Sequence, residues 1–138
     1  MIEQILPDVS RINPVLLSSG TYYVALNEKK KKKTHLVLSK QIKTGLDKIG
    51  AKSNIFIAYE PLWAIGSGII PKTKDLFKTI KFIKSKFKDK SPKVLYGGSV
   101  NPQNITNLKE INNIDGFLIG GASQNTKKFI DIVKKTYS

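Results

Sequence analysis

From about residue 20 onward, two patterns of apolar and polar positions alternate along the chain. Short continuous apolar runs are followed by stretches in which apolar residues recur every three or four positions. Continuous runs are typical of parallel strands covered on both faces, whereas the three-to-four spacing is typical of helices with one buried side. The runs occupy residues 22–26, 55–59, 93–96 and 116–119.

The apolar periods predict a helix after each of these strands. One stripe contains Leu38, Ile42, Leu46 and Ile49, and the next contains Leu76, Ile80, Ile83 and Phe87. Asn101 before Pro102 predicts an N-cap and a first helical position, opening a short helix that buries Ile105 and Leu108. A helix at 126–137 places Phe129, Ile130 and Val133 on one side. Four strand–helix units predict an α/β fold with right-handed crossovers and a parallel sheet.

The first 20 residues fit neither pattern. Pro7, Pro14 and the run 18–20 interrupt two short apolar stretches. We therefore interpret residues 1–138 as a single domain, in which residues 1–20 form an atypical, irregular N-terminal segment and residues 21–138 form four βα units.

Length and composition narrow the possible classes of protein. The 138 residues suit one domain but fall short of the roughly 250 residues of a complete eight-stranded βα barrel. No apolar run approaches the ~18 residues that cross a bilayer, and the N-terminus does not begin like a signal peptide, so we predict a cytoplasmic protein with no membrane contact. Without cysteine, and with His35 as the one histidine, the chain predicts no disulfide and no structural metal site.

The net charge of +14 raises the possibility of nucleic-acid binding. The lysines are scattered over polar helix faces, and Arg11 is the one arginine, whereas nucleic-acid recognition favours arginine. We consider two interpretations of this charge: compositional drift of the surface, or a surface that attracts an anionic partner such as a phosphorylated substrate or RNA. Nucleic acid is the less favoured partner. The run 29–33 is predicted to be a solvated loop or a frayed helix start, with a binding role as the alternative.

Candidate chemistry lies in the loops after the strands, because ligands of parallel βα proteins bind there. These loops contain residues 27–28, 60–68, 97–99 and 120–123. Glycine pairs after the last two strands are suited to phosphate binding by backbone N–H groups, although a single pair is usually only a turn.

Glu60 is the one carboxylate that follows a buried run directly within these glycine-rich loops. It suits either a helix cap or salt-bridge partner, or a general base. Pro61 restricts its direction, Trp63 anchors the following loop, and the small residues 64–68 suit a movable tip. A carboxylate beside a closing lid loses water, which favours action as a base.

Three segments resemble triosephosphate isomerases in order and spacing. They are AYEPLWAIGSG at 58–68, LYGGSV at 95–100 and IDGFLIGGAS at 114–123. The resemblance is clear over residues 53–136 and weaker over 22–50, where Asn27-Glu28 stands in place of the family's Gly-Glu. It implies the C-terminal half of a TIM (β/α)8 barrel.

By this resemblance, Glu60 is the base that interconverts dihydroxyacetone phosphate and glyceraldehyde 3-phosphate, a step of glycolysis and gluconeogenesis. Backbone N–H groups of Gly66, Ser99, Gly120 and Gly121 are then expected to bind the substrate phosphate, and no metal or other cofactor is implied. The implied lid consists of Pro61, Leu62, Trp63, Ala64, Ile65, Gly66, Ser67 and Gly68.

The chain also departs from the family. The family's site needs a lysine and an asparagine after the first strand and a histidine after the fourth, and this chain has no matching segment. His35 matches no catalytic position, and residues 69–71, Ile-Ile-Pro, stand at the second lid hinge where a lysine and small residues are expected. We therefore predict an isomerase homologue that is inactive or weakly active alone; the alternative is a non-catalytic, vestigial or interaction half-barrel.

A half-barrel has open sheet edges that something must cover. We consider three ways to cover these edges: a separate complementary N-terminal half, a symmetric pair of copies in a homo-oligomer, or partial patching by residues 1–21.

Overall fold

The computed structural model describes residues 15–16, 21–28, 34–47, 49, 54–88 and 91–138. These residues form one sheet of order β1-β2-β3-β4-β5. The strands are β1 (Val15–Leu16), β2 (Thr21–Glu28), β3 (Asn54–Pro61), β4 (Lys93–Tyr96) and β5 (Gly116–Phe117). The helices are α1 (Thr34–Leu46), α2 (Thr73–Ser85), α3 (Ile105–Lys109) and α4 (Thr126–Tyr137), and a 3-10 helix, Gly121–Gln124, precedes α4. Strands β2 to β5 are parallel, which confirms the predicted α/β fold of four strand–helix units.

The ends of the strands differ from those predicted. Asn27 and Glu28, predicted as loop residues, are the last two residues of β2 and pair with Glu60 and Pro61 of β3. The ladder between β2 and β3 continues through eight positions, and its hydrogen bonds keep both strands extended beyond their apolar runs. β5 is shorter than predicted because, within the described residues, it pairs with β4 alone.

The core lies between the sheet and its helices. Ile57 and Val94 of the sheet are buried, as are the residues that α1 and α2 turn toward it. Leu38 and Ile42 come from α1, and Leu76, Ile80 and Ile83 come from α2. Ile49 and Phe87, predicted to continue these stripes, lie beyond the helix ends and pack partly buried against the same core. Alternation along β3 places Ala58 on the opposite, inner face, where it packs with Ala25 and Leu118.

The third helix begins at Ile105, whereas the sequence predicts a start at Pro102. Residues 102–104 form a turn instead. The Oδ1 atom of Asn101 accepts hydrogen bonds from the N–H groups of Gln103 (2.9 Å) and Asn104 (3.0 Å), the bonds that an N-cap side chain makes. Asn101 therefore caps this turn, and the predicted burial of Ile105 and Leu108 is confirmed.

The fourth helix has its predicted position but buries a different side chain. Ile132 is 1% exposed, whereas Phe129, Ile130 and Val133 are all exposed. The helix packs on the short helix α3 and on the 3-10 helix, so its contact area is narrow. The predicted apolar side of α4 is therefore partly exposed and lies outside the core.

The N-terminal segment contributes one strand that the hydrophobic pattern did not predict. Val15 and Leu16 pair antiparallel with Tyr23 and Tyr22 on the free edge of β2. This pairing is a partial patch of the kind considered for residues 1–21. The other residues of that segment, and the lysine run 29–33, lie outside the described residues.

Tyr96 carries a buried hydroxyl that makes no hydrogen bond within the described residues. Because an unsatisfied buried polar group is unfavourable, Tyr96→Phe is expected to raise the free energy of unfolding by about 1 kcal/mol at neutral pH. Burial also raises the pKa of the Tyr96 phenol well above its usual range. The unfolded chain therefore releases this proton first, and stability falls as the pH rises above about 10.

Urea unfolding at about pH 7 and about pH 11 measures both effects. Tyr96→Phe is expected to reduce the alkaline loss of stability. The matched control, Tyr137→Phe, changes a tyrosine that is 86% exposed. It should leave unchanged both the free energy of unfolding at neutral pH and its loss at alkaline pH. Equal behaviour of the two variants would contradict the prediction.

Candidate active site

Glu60 lies at the carboxyl end of β3, in the middle of the parallel sheet. Its register neighbour on β2 is Asn27, and on the other side Tyr59 is level with Tyr96, the last residue of β4. The N–H of Gly97 donates to the carbonyl oxygen of Tyr59 at 2.9 Å, so the β4 loop begins beside Glu60. Glu60 is 8% exposed, which places a carboxylate in a largely dry position.

Gly97 gives this carboxylate its space. A Cβ atom at position 97 would lie 2.7 Å from Glu60 Cγ and 3.2 Å from Glu60 Oε1. The same position is 3.3 Å from Leu118 Cδ2, so β3, the β4 loop and the segment after β5 converge here. The sequence identified the glycine loop but not the contact with Glu60, because the contact depends on the strand register.

The predicted lid begins at a fixed base and ends in an exposed tip. Pro61 and Ala64 are buried, and the N–H of Ala64 donates to the carbonyl oxygen of Pro61 at 2.8 Å. Gly66 and Gly68 have φ of 65° and 73°, a left-handed conformation that favours glycine. Residues 65–69 are exposed. This arrangement is suited to a lid, and its movement stays a prediction.

Ser67 organises the tip of this loop. Its hydroxyl donates to the carbonyl oxygen of Ala64 at 3.0 Å and accepts from the N–H of Ile69 at 3.1 Å. These bonds lie within the loop, so the tip is shaped by its own contacts.

The loop after β4 is held by a pair of asparagines. The side-chain amide of Asn104 donates to the carbonyl oxygen of Ser99 at 2.8 Å, and its Oδ1 accepts from the N–H of Asn101 at 2.9 Å. Ser99 itself is half-buried. The asparagines fix the backbone that carries Ser99; the sequence marked Asn101 only as a helix cap and did not single out Asn104.

The loop after β5 is open around its two glycines. Gly120 and Gly121 are exposed, and no heavy atom lies within 4 Å of a Cβ position at either residue. The carbonyl oxygen of Gly120 accepts from the N–H (2.9 Å) and the hydroxyl (2.6 Å) of Ser123, which closes the 3-10 helix behind them. A short helix after the last strand is a common phosphate-binding arrangement in βα barrels, and phosphate binding here stays a prediction.

The remaining titratable candidates take other places. His35 lies on α1, and its ring stacks on Phe82 of α2 with centroids 4.0 Å apart and planes 6° apart. This contact packs two helices. Among the described residues, no three His, Cys, Asp or Glu side chains are grouped to hold a metal ion. None of the helices in the described ranges has the length and apolar character that a membrane crossing requires.

Comparison with known proteins identifies one family. The family model described as triosephosphate isomerase matches residues 24–136. The triosephosphate isomerase of Mycoplasma mobile is 43% identical over 102 residues, which are 74% of this chain and 42% of that protein. The enzyme of Saccharomyces cerevisiae is 40% identical over 115 residues, covering 78% of this chain and 46% of that protein. That of Thermodesulfovibrio yellowstonii is 38% identical over 113 residues, with coverage of 78% and 46%. The chain spans about half the length of these relatives and matches roughly their C-terminal half.

Proposed function

Because the chain belongs to the triosephosphate isomerase family, we propose that it supplies the base, the lid and the phosphate loops of an isomerase active site. The reaction would interconvert dihydroxyacetone phosphate and glyceraldehyde 3-phosphate. The observation that supports this best is the placement of Glu60, buried at the end of β3 with Gly97 against its side chain.

Glu60 is the proposed base. It would remove a proton from the carbon beside the substrate carbonyl and form an enediolate, which then accepts a proton at the neighbouring carbon. Partial exclusion of water favours this step, because a carboxylate with fewer hydrogen bonds to water is a stronger base. The exposed tip at 65–68 would close over the substrate and complete the exclusion.

The N–H groups of Gly66, Ser99, Gly120 and Gly121 are the proposed donors to the substrate phosphate. The supporting observations are the open space at Gly120 and Gly121 and the fixed backbone at Ser99. Successive backbone N–H groups bind anions well, since they are fixed donors with no side chain in the way.

The enediolate also needs an electrophile that stabilises its negative charge. The 138 residues contain one histidine, and His35 is engaged with Phe82. We therefore propose that a complementary half, corresponding to the remainder of the relatives, supplies the lysine and histidine, and that this chain alone is inactive or weak. A cytoplasmic location stays part of the same proposal.

Binding of 2-phosphoglycolate, a mimic of the enediolate, tests the proposal on the chain alone. Titration calorimetry is expected to detect binding, and Glu60→Gln should weaken it. Gly121→Asp should weaken it by roughly tenfold or more, or at least about 1.4 kcal/mol, because a carboxylate would meet the phosphate.

Asn112→Asp is the matched control, since it adds the same charge at an exposed position after α3. It should leave the affinity within a factor of about two. Absence of any binding by the folded chain would favour the non-catalytic half-barrel instead.

A further inference from the structure

Asn104 is a buried polar residue in the turn that follows the β4 loop. It is 8% exposed, and both ends of its side-chain amide are used. The nitrogen donates to the carbonyl oxygen of Ser99 at 2.8 Å, and Oδ1 accepts from the N–H of Asn101 at 2.9 Å. Burial of an amide is unfavourable unless its donor and its acceptor are both bonded. Asn104 is therefore held in one orientation, with its donor on the backbone of the β4 loop.

Helix capping does not explain why an asparagine stands at position 104. Asn104 directly precedes α3, yet its side chain makes no capping hydrogen bond to that helix. The acceptor for this turn is Asn101, whose Oδ1 binds the N–H groups of Gln103 and Asn104. An N-cap side chain accepts from N–H groups ahead of it in the chain. The Asn104 amide donates backwards to Ser99 instead, so it stabilises the loop and not the helix.

The β4 loop is tied to the fold on both sides of the Ser99 N–H. Before it, the N–H of Gly97 donates to the carbonyl oxygen of Tyr59 on β3 at 2.9 Å. After it, the carbonyl oxygen of Ser99 is held by Asn104. Each residue has only two soft backbone dihedral angles, so two ties this close together leave few directions for the peptide groups between them. The direction of the Ser99 N–H thus depends on the bond to Asn104.

The N–H of Ser99 has no hydrogen-bond acceptor within the described residues. Ser99 is half-buried, and N–H groups away from water are nearly always paired in folded proteins. This N–H is therefore a donor whose direction is fixed by the loop and which remains available to an acceptor from outside the loop.

We propose that Asn104 is a positioning residue for phosphate binding, because its amide fixes the direction of the Ser99 N–H. The inference rests on the proposed function, in which that N–H donates to the substrate phosphate. It adds a residue that does not touch the substrate and that acts through the backbone of Ser99. Without the amide, the Ser99 carbonyl loses its donor and the loop gains freedom to rotate. Hydrogen bonds weaken steeply when the donor turns away from the acceptor, so phosphate affinity falls.

Asn113 offers a matched control for the loss of an amide. Its side-chain nitrogen donates to the carbonyl oxygen of Phe77 at 2.8 Å, so the bond has the same type and length as that from Asn104 to Ser99. Asn113 lies just before β5, whereas the phosphate loops follow the strands, so it belongs to the opposite ends of the parallel strands. Asn113→Ala and Asn104→Ala are both expected to lower stability in urea unfolding, but only Asn104→Ala should affect phosphate binding.

The test is a titration of the complete 138-residue chain with 2-phosphoglycolate and with inorganic phosphate, followed in ¹⁵N–¹H NMR spectra. Asn104→Ala is expected to weaken binding of both probes by about tenfold, the effect of one lost hydrogen bond to a charged group. Asn113→Ala should leave both affinities within a factor of about two. At saturation, the Ser99 amide signal should move less in Asn104→Ala than in the unaltered chain, whereas the signals of Gly120 and Gly121 should move equally in both. A merely structural role would not select Ser99.

A second measurement needs no variant and therefore does not depend on how Asn104→Ala folds. A scalar coupling across the hydrogen bond, between the Asn104 side-chain nitrogen and the Ser99 carbonyl carbon, is expected in the free chain and in the chain saturated with 2-phosphoglycolate. Absence of the coupling from the saturated chain would overturn the inference, because Asn104 would then not hold Ser99 while the phosphate is bound.

The outcomes for the inference and for the proposed function are distinguishable. Unchanged affinity in folded Asn104→Ala, or equal weakening by Asn104→Ala and Asn113→Ala, would overturn the inference and leave the proposed function standing. Absence of binding by the folded, unaltered chain would contradict the proposed function and the inference that rests on it.

Discussion

In a full-length chimera, Glu60→Gln is expected to lower isomerase turnover by about 10²–10⁴-fold, the contribution typical of a positioned general base. The chimera replaces the matched part of the Mycoplasma mobile enzyme with this chain, so the remainder of that enzyme supplies the other groups of the site. Glutamine keeps the shape that fits against Gly97 but cannot accept a proton. Because the phosphate loops are unchanged, we expect kcat to fall much more than KM changes.

The control is Glu110→Gln, the same substitution at an exposed residue at the end of α3. It should leave kcat within a factor of about two. Circular dichroism first checks that the chimera and its two variants are folded. Steady-state kinetics then measures kcat and KM for each of them. A chimera that retains most of its activity with glutamine at position 60 would remove Glu60 from the role of base. A folded chimera that is inactive with Glu60 present would contradict the proposed function.

The hydrophobic pattern predicts strands β2 to β5 and the four helices, though not β1, because burial against one sheet imposes the periods of strands and helices. It did not predict where strands end. Asn27 and Glu28 belong to β2 because the ladder to Glu60 and Pro61 continues there, and pairing depends on a neighbour that lies far away in sequence. Local apolar content therefore gives the middle of each strand, and hydrogen bonding gives its ends.

The pattern also misjudged which side of α4 is buried. Phe129, Ile130 and Val133 form the larger apolar side, yet Ile132 is the residue that contacts the core. An apolar side predicts contact with a neighbouring element, and within the described residues α4 packs chiefly on α3 and on the 3-10 helix, which Ile132 faces. The apolar pattern thus predicts that α4 has an apolar side, whereas the helices it packs on decide which side chain is buried.

The sequence predicts the position of the candidate site in part. The place of Glu60 after a buried run predicts that it lies among the loops after the strands, and the structure places it beside the β4 loop as the order of strands requires. The sequence predicts the same phosphate-binding role for both glycine pairs, but their surroundings differ. Gly120 and Gly121 have open space around them, whereas a Cβ atom at Gly97 would lie 2.7 Å from Glu60 Cγ and one at Gly98 would overlap the Tyr96 hydroxyl.

Gly98→Ala is accordingly expected to destabilise the chain clearly. The new Cβ would lie 2.5 Å from Tyr96 Cζ and 3.1 Å from Tyr96 Cε2, and it would overlap the Tyr96 hydroxyl. Tyr96 is 0% exposed, so its ring has no solvent space into which it can turn. Overpacking of this kind costs about 1–3 kcal/mol, which urea unfolding measures directly. Gly121→Ala, at a glycine whose Cβ position has no atom beyond its chain neighbours within 4 Å, should change stability by less than about 0.5 kcal/mol.

A double-mutant cycle separates overlap with Tyr96 from any general effect of alanine on the loop. Tyr96→Leu removes the ring atoms that the new methyl group would meet, at the cost of a cavity in the core. If the overlap is the cause, the double variant should lose less stability than the sum of the single variants, by about 0.5–3 kcal/mol. Additive losses would instead mean that the loop requires glycine at position 98 for its backbone conformation. The glycine pair at 97–98 would then be explained by the conformation of the loop and not by the two side chains packed against it.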